Sequence, residues 1–187
     1  MATPRENCYC IGPRASGKTS LGALLAQHMG LPCVDTDALV VERAGKPIAA
    51  IVASEGWPVF RQLEHDALAS VRERGGCVVA CGGGIVLRPD NRALLHGAGP
   101  VFYLAAAPDV FAARLMADPL HDQRPSLTGA SIIDEVRQVL AERDPLYRAC
   151  ATHVLDAAVP LDTLAALALG LLPPGFPRPL AASPGQP

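Results

Sequence analysis

The sequence carries no excess of basic residues. Lys plus Arg is 16 against 18 Asp plus Glu, a formal net charge of −2. A protein that holds nucleic acid by bulk electrostatics needs a basic surplus to neutralise phosphates, so that class is set aside. No C-x-x-C pair occurs either. The 6 cysteines, at positions 8, 10, 33, 77, 81 and 150, are scattered. Such scatter fits buried free thiols in a reducing compartment and excludes a zinc or redox-pair framework. Near the amino terminus, Arg5 and Glu6 precede an apolar run broken at Gly12, which lacks the long apolar region of a secretory signal. No run reaches the roughly 18–20 apolar residues of a bilayer span. The best candidate, residues 161–172, is interrupted by Asp162. Internal repeats are also missing. These absences predict a cytoplasmic protein with neither a nucleic-acid nor a membrane partner.

What is present is a chain of 187 residues that is 50% hydrophobic and 18% charged, with a mean hydropathy of +0.24. That composition excludes a largely disordered chain and predicts one domain with a substantial core. Short apolar segments at 8–11, 33–34, 77–80, 101–104 and 153–155 show no polar alternation, which predicts strands of a parallel sheet covered on both faces. Helical patterns lie between them, at 19–29, 38–43, 47–53, 59–74, 108–116, 132–148 and 161–169. Gly30 with Pro32 ends the first; Gly56 and Pro58 mark a turn between the third and fourth. Strand and helix alternate, so the expected class is α/β, a parallel sheet with helices on both faces. The expected domain spans residues 1–172. Within it, 117–130 has mixed polarity and reads as a mobile lid. Residues 173–187 contain six prolines and read as a flexible tail with little to bury.

Gly12-Pro13-Arg14-Ala15-Ser16-Gly17-Lys18-Thr19 fits the phosphate-loop pattern G-x-x-x-x-G-K-[ST], placed as it must be between a buried strand and a helix. The glycines let the backbone curl so that N–H groups converge, and the helix dipole adds positive potential. Lys18 is suited to the β- and γ-phosphates of ATP and the Thr19 hydroxyl to Mg²⁺. Gly12, Arg14 to Gly17, and Lys18 to Ser20 are therefore the expected nucleotide contacts, with Ala15 and Ser16 among them. A guanine-reading N-K-x-D is absent, and the chain is short for a motor, which leaves a small-molecule kinase. Asp35 and Asp37, two apart, share one side of an extended segment at the same sheet rim. Either they serve Mg²⁺ and an acceptor hydroxyl, or they cap an exposed turn. Arg61 and Glu64 have i,i+3 helix spacing, and Arg143 and Tyr147 have i,i+4 packing spacing. Trp57 either touches substrate or covers a helix junction. Gly82, Gly83 and Gly84 at a buried strand end carry an entropic cost that signals close backbone approach.

Together these motifs resemble the shikimate kinase family over about residues 7–168. The likeness is carried by the phosphate loop, Val34-Asp35-Thr36-Asp37, Phe60-Arg61 with Glu64, and Val78-Val79-Ala80-Cys81-Gly82-Gly83-Gly84-Ile85. It continues in Arg124-Pro125-Ser126-Leu127-Thr128-Gly129 and Glu142-Arg143-Asp144-Pro145-Leu146-Tyr147. The resemblance implies an α/β fold, a doubly wound five-stranded parallel sheet similar to nucleoside monophosphate kinases, and Mg²⁺-dependent transfer of the ATP γ-phosphoryl to the 3-hydroxyl of shikimate by a monomer. It implies that Asp37 takes the substrate hydroxyls, that Arg61 and Arg143 grip the carboxylate, and that Glu64 holds Arg61. It also implies that Gly82, Gly83 and Gly84 approach the substrate, and that Asp35 lies near the metal through water. Arg124 would reach the phosphates from the lid, and Arg114 would lie beside the adenine. The alternatives are a kinase for another small hydroxy-acid such as gluconate, and a non-catalytic nucleotide-binding regulator. Cys81 stands where the family often has threonine, and residues 118–123 offer no second arginine ahead of Arg124.

Overall fold

The computed structural model describes residues 6–117 and 131–176. Five strands form one parallel sheet: β1 (Cys8–Ile11), β2 (Cys33–Asp35), β3 (Val78–Ala80), β4 (Val101–Ala105) and β5 (His153–Asp156). Their spatial order is β2-β3-β1-β4-β5. The chain thus fills one side of β1 with β2 and β3, then the other with β4 and β5. In such a sheet ligands bind beyond the carboxyl ends of the strands, where the order reverses, and the phosphate loop leaves β1 at that point.

The strands are short apolar runs because both faces are covered. Along β1, Cys8 and Cys10 join one core with Leu21 and Leu25 of α1 (Lys18–Met29), Phe111 of α5 (Pro108–Ala117) and Leu164 of α7 (Leu161–Gly170). Tyr9 and Ile11 face the other core, with Leu68 and Val71 of α3 (Ile48–Arg74) and Leu95 of α4 (Pro89–Leu95). This two-residue alternation between equally apolar faces is the pleat itself. A smaller cluster of Val40, Ile51, Phe60 and Ala67 joins α2 (Thr36–Ala44) to α3. Asn7, 2% exposed, satisfies its whole amide at the far end of the sheet, through the Tyr9 hydroxyl, the Val71 carbonyl and the Cys77 N–H.

The helix boundaries follow local chemistry. Gly30 closes α1 in the left-handed region at φ 62°, and its N–H bonds back to the carbonyls of Ala26 and Gln27. Ser131 caps α6 (Ile132–Cys150), accepting the Asp134 N–H. The two helices expected at 47–53 and 59–74 are both present as the two arms of α3, and the turn expected between them is the non-helical kink at Gly56 (φ 83°, ψ 168°). Pro58 tolerates this position because it opens the turn after the bend, where its missing N–H costs nothing. The short helix η1 (Ile85–Leu87) and α4 were not anticipated from the sequence. Packing also continues past residue 172, since Phe176 is buried in the α1–α7 core beside Leu172. Within 173–187, Phe176 therefore does have a place to be buried. The lid expectation at 117–130 falls, apart from Ala117 at the end of α5, outside the described residues, as does the tail beyond Phe176.

Candidate functional site

A cleft of about 580 Å³ opens along the carboxyl ends of β1, β2 and β3. The phosphate loop forms one end. Gly12 (φ 147°) and Gly17 (φ 94°) take backbone conformations that side chains disfavour, and Ala15 (φ 59°) shares that strain. A Cβ on Gly12 would sit 2.9 Å from Ser16 Oγ and 3.0 Å from the Leu104 carbonyl. The tight curl therefore needs glycine there for space as well as for φ. Gly17 caps α1 with no side-chain bond, so the first N–H groups of the helix remain as donors at the loop.

Lys18 curls over its own loop. Its Nζ donates to the Pro13 carbonyl at 2.5 Å and to Ser16 Oγ at 3.3 Å. Burial pushes its ammonium down to about 8, against the pull of Asp37, Cys81 and Asp35. Such a lysine gains most from phosphates that restore its charge. Arg14 lies beside it, 3.9 Å from Glu135 of α6. Arg114 donates to the carbonyls of Ala15 (3.4 Å) and Ala157 (2.6 Å), tying the loop to the segment after β5, and it does not line the cleft.

Asp35 does two things at once. One carboxylate oxygen caps α2, accepting the N–H groups of Asp37 (2.9 Å) and Ala38 (3.1 Å). The other accepts the Thr19 hydroxyl at 2.9 Å. The capping reading is thus realised, and the same carboxylate also lies against the Thr19 hydroxyl. A single hydroxyl beside one carboxylate fits Mg²⁺, a hard ion that keeps several waters and takes its other ligands from phosphates. Among the described residues no group of three or more His, Cys, Asp or Glu is arranged to enclose an ion.

The other end of the cleft is an acid–base cluster. Arg61 is ion-paired with Glu64, and its guanidinium lies over the rings of Trp57 (5.0 Å) and Phe60 (5.2 Å). Glu64 is 1% exposed, and burial raises its carboxyl to about 7 although Arg61 pulls it down. Asp37 and Arg143 line the same space. Helix spacing alone allowed Arg61 and Arg143 to be ordinary solvated arginines. Instead Arg143 is 8% exposed, donates from Nη1 to the Gly83 carbonyl at 3.2 Å, and leaves its buried Nε without a partner among the described residues.

The three glycines differ in what they do. A Cβ on Gly82 would strike the Asp37 carboxylate, and one on Gly84 would strike the Arg61 guanidinium. On Gly83 it would meet only ordinary contacts, 3.6 Å from Arg14 N and the Gly12 carbonyl. Gly82 and Gly84 thus make room for charged side chains, while Gly83 supplies a carbonyl. Cys81 lines the cleft but is buried, and burial raises its thiol well above the ordinary range. That state opposes thiolate reactivity.

The structure therefore brings together Arg14, Lys18, Thr19, Asp35, Asp37, Arg61, Gly83, Gly84 and Arg143 along one cleft, with Gly12, Ser16 and Gly82 shaping it from behind. Arg124 lies outside the described residues. Sequence reasoning passed over Thr36. This residue is fully buried and accepts the Gly82 N–H at 2.8 Å, fixing the glycine turn beside Asp37. Its position between two aspartates drew attention to its neighbours instead. The apolar wall of Val41, Ile48 and Ala49 was also missed, because nothing in local pattern separates such residues from core.

A family description of shikimate kinase matches residues 14–166. The shikimate kinase of Oleidesulfovibrio alaskensis is 52% identical over 167 residues, covering 89% of this chain and 97% of that protein. That of Nitratidesulfovibrio vulgaris is 50% identical over 153 residues, 82% of this chain and 87% of its own. Among solved structures, the shikimate kinase of Acinetobacter baumannii in complex with shikimate superposes with a TM-score of 0.80 at 30% identity, covering 89% of this chain and 90% of that one. A gluconokinase from Sinorhizobium meliloti, at 20% identity and a TM-score of 0.54, shares the fold.

Proposed function

The chain belongs to the shikimate kinase family, and from that premise we propose that it transfers the γ-phosphoryl group of ATP to the 3-hydroxyl of shikimate. The observation that carries this reading is the placement of two guanidinium groups, Arg61 and Arg143, at one end of a cleft whose other end is a phosphate loop. Guanidinium forks suit a planar carboxylate, and the loop suits a polyphosphate. An acceptor that spans the two needs one carboxylate and a hydroxyl a ring's width away. The apolar wall of Val41, Ile48 and Ala49 favours a ring with an apolar face over an open polyol.

Phosphoryl transfer asks a protein mainly for positioning and charge neutralisation. Lys18 and the N–H groups that open α1 receive the β- and γ-phosphates. Thr19 and Asp35 are the residues that would hold Mg²⁺, Asp35 through water. Bound there, Mg²⁺ neutralises phosphate charge and aligns the γ-phosphoryl group. Asp37 accepts hydrogen bonds from the substrate hydroxyls and holds the attacking oxygen in line. Glu64 fixes Arg61 so that the guanidinium meets the carboxylate in one orientation. Arg114 contributes at the nucleotide end, Arg124 acts over the phosphates, and the enzyme works as a cytoplasmic monomer.

The test is ADP release with Mg-ATP, comparing shikimate, quinate, gluconate and no acceptor. Turnover restricted to shikimate supports the reading. Turnover with gluconate alone would replace the acceptor, and nucleotide binding without turnover would replace catalysis with regulation.

A further inference from the structure

Resting on the kinase reading above, we propose that Tyr147 is a positioning residue for acceptor binding, its hydroxyl locking the Gly83 carbonyl and, through that carbonyl, the Arg143 guanidinium. Tyr147 is fully buried and does not line the cleft, so it acts only through another group. Its hydroxyl donates to the Gly83 carbonyl, the same oxygen that accepts Arg143 Nη1. A carbonyl has two lone pairs, and here both are used. The turn is held from its other side by Thr36, which accepts the Gly82 N–H, while the Gly82 carbonyl accepts the Ile85 N–H at 3.1 Å. The glycine turn therefore has its position set by side chains from α2 and α6.

Tyr147 is itself well held. Its ring stacks on Tyr103 at 4.9 Å with planes 25° apart, and the Tyr103 hydroxyl donates to Asp144 at 2.7 Å. Asp144 in turn accepts Arg148 Nε at 2.7 Å. Burial, partly offset by Arg143, keeps the Tyr147 phenol up at about 12, so it remains a donor across the working pH range. The buried Nε of Arg143 is unpartnered among the described residues. Removing the phenol would leave the Gly83 carbonyl held by Arg143 Nη1 alone, and that charged group must meet the acceptor in one orientation.

The test is Tyr147→Phe, which keeps the ring stack, measured beside Tyr103→Phe, which removes a nearby hydroxyl that does not touch Gly83. For Tyr147→Phe the KM for shikimate rises about five- to ten-fold, the size of one buried hydrogen bond, with the KM for ATP and kcat within about two-fold. Tyr103→Phe leaves the shikimate KM unchanged. An unchanged shikimate KM in Tyr147→Phe, a parallel rise in both KM values, or an equal rise in Tyr103→Phe would overturn the proposal. If Tyr147→Phe does not fold, the hydroxyl is structural and the proposal also falls. Failure of the wild-type protein to phosphorylate shikimate would instead overturn the kinase reading, and it is seen in the same experiment.

Discussion

Two residues at opposite ends of the cleft are held away from their ordinary ionisation by burial, and each makes a prediction about pH. Lys18 is pushed down to about 8 in the free protein. Above that pH it loses the charge that phosphates require. The expected result is a kcat/KM for ATP that falls above about pH 8, while at saturating ATP the falling limb moves upward because bound phosphates restore the proton. A flat kcat/KM for ATP up to about pH 9.5 would contradict the assignment. Replacing Lys18 with Ala should lower kcat by about 10²–10³-fold, as for other lost charge-stabilising donors. Glu64 is raised to about 7. A substrate carboxylate arriving at Arg61 competes for the same guanidinium and repels Glu64, so binding raises that carboxyl further. Linkage then requires shikimate to bind more weakly as pH rises through about 7. Titration of the single tryptophan's fluorescence with shikimate across pH measures this, and Glu64→Gln should flatten the dependence. Part of this scale was legible: the phosphate loop and both aspartates stood out by type and spacing, while Arg61 and Arg143 were singled out only by the family likeness. The dual bonding of Asp35 was not, because capping and metal-side chemistry use the same carboxylate.

At the scale of elements, the glycine turn after β3 separates function from folding. A Cβ at Gly84 meets the far end of Arg61, which is flexible. Gly84→Ala should therefore raise the shikimate KM about ten-fold or more by displacing the guanidinium, with little loss of stability. Equal Km values for wild type and variant would remove Arg61 from the acceptor site. Gly99 offers the contrast. There a Cβ would strike the Asn7 backbone carbonyl, at φ 122°. Gly99→Ala should cost about 2 kcal/mol or more of stability and leave the KM values of the surviving enzyme unchanged, as read by thermal melting and steady-state rates. Strand and helix order was readable because unbroken apolar runs and 3.6-residue patterns alternate along the chain. The break at Gly56 was readable too, because Gly56 with Pro58 signals it in local terms. Packing of both arms of α3 against α2 was not, because that contact joins segments that local pattern treats separately.

At the scale of the whole molecule, the fold brings residues from five segments to one rim: the loop after β1, the start of α2, the middle of α3, the glycine turn after β3 and the far half of α6. Strand order itself cannot be read from a sequence, since the runs that form β3 and β4 are equally apolar. Pairing within the sheet decides it, and the observed order is β2-β3-β1-β4-β5. Prolines mark where a helix stops, whereas Phe176, 6% exposed, still finds the core beyond them. Phe176→Ala should cost about 3 kcal/mol, lowering Tm by roughly 6–12 °C with kcat unchanged. The central claim is that the acceptor is chosen by its carboxylate at Arg61 and Arg143. The most direct measurement compares kcat/KM for shikimate with that for its neutral carboxamide. Loss of the charge partner of two guanidinium groups, Arg143 buried and Arg61 partly buried, predicts a drop of about 10²-fold or more. Equal kcat/KM for the two acceptors would contradict the account.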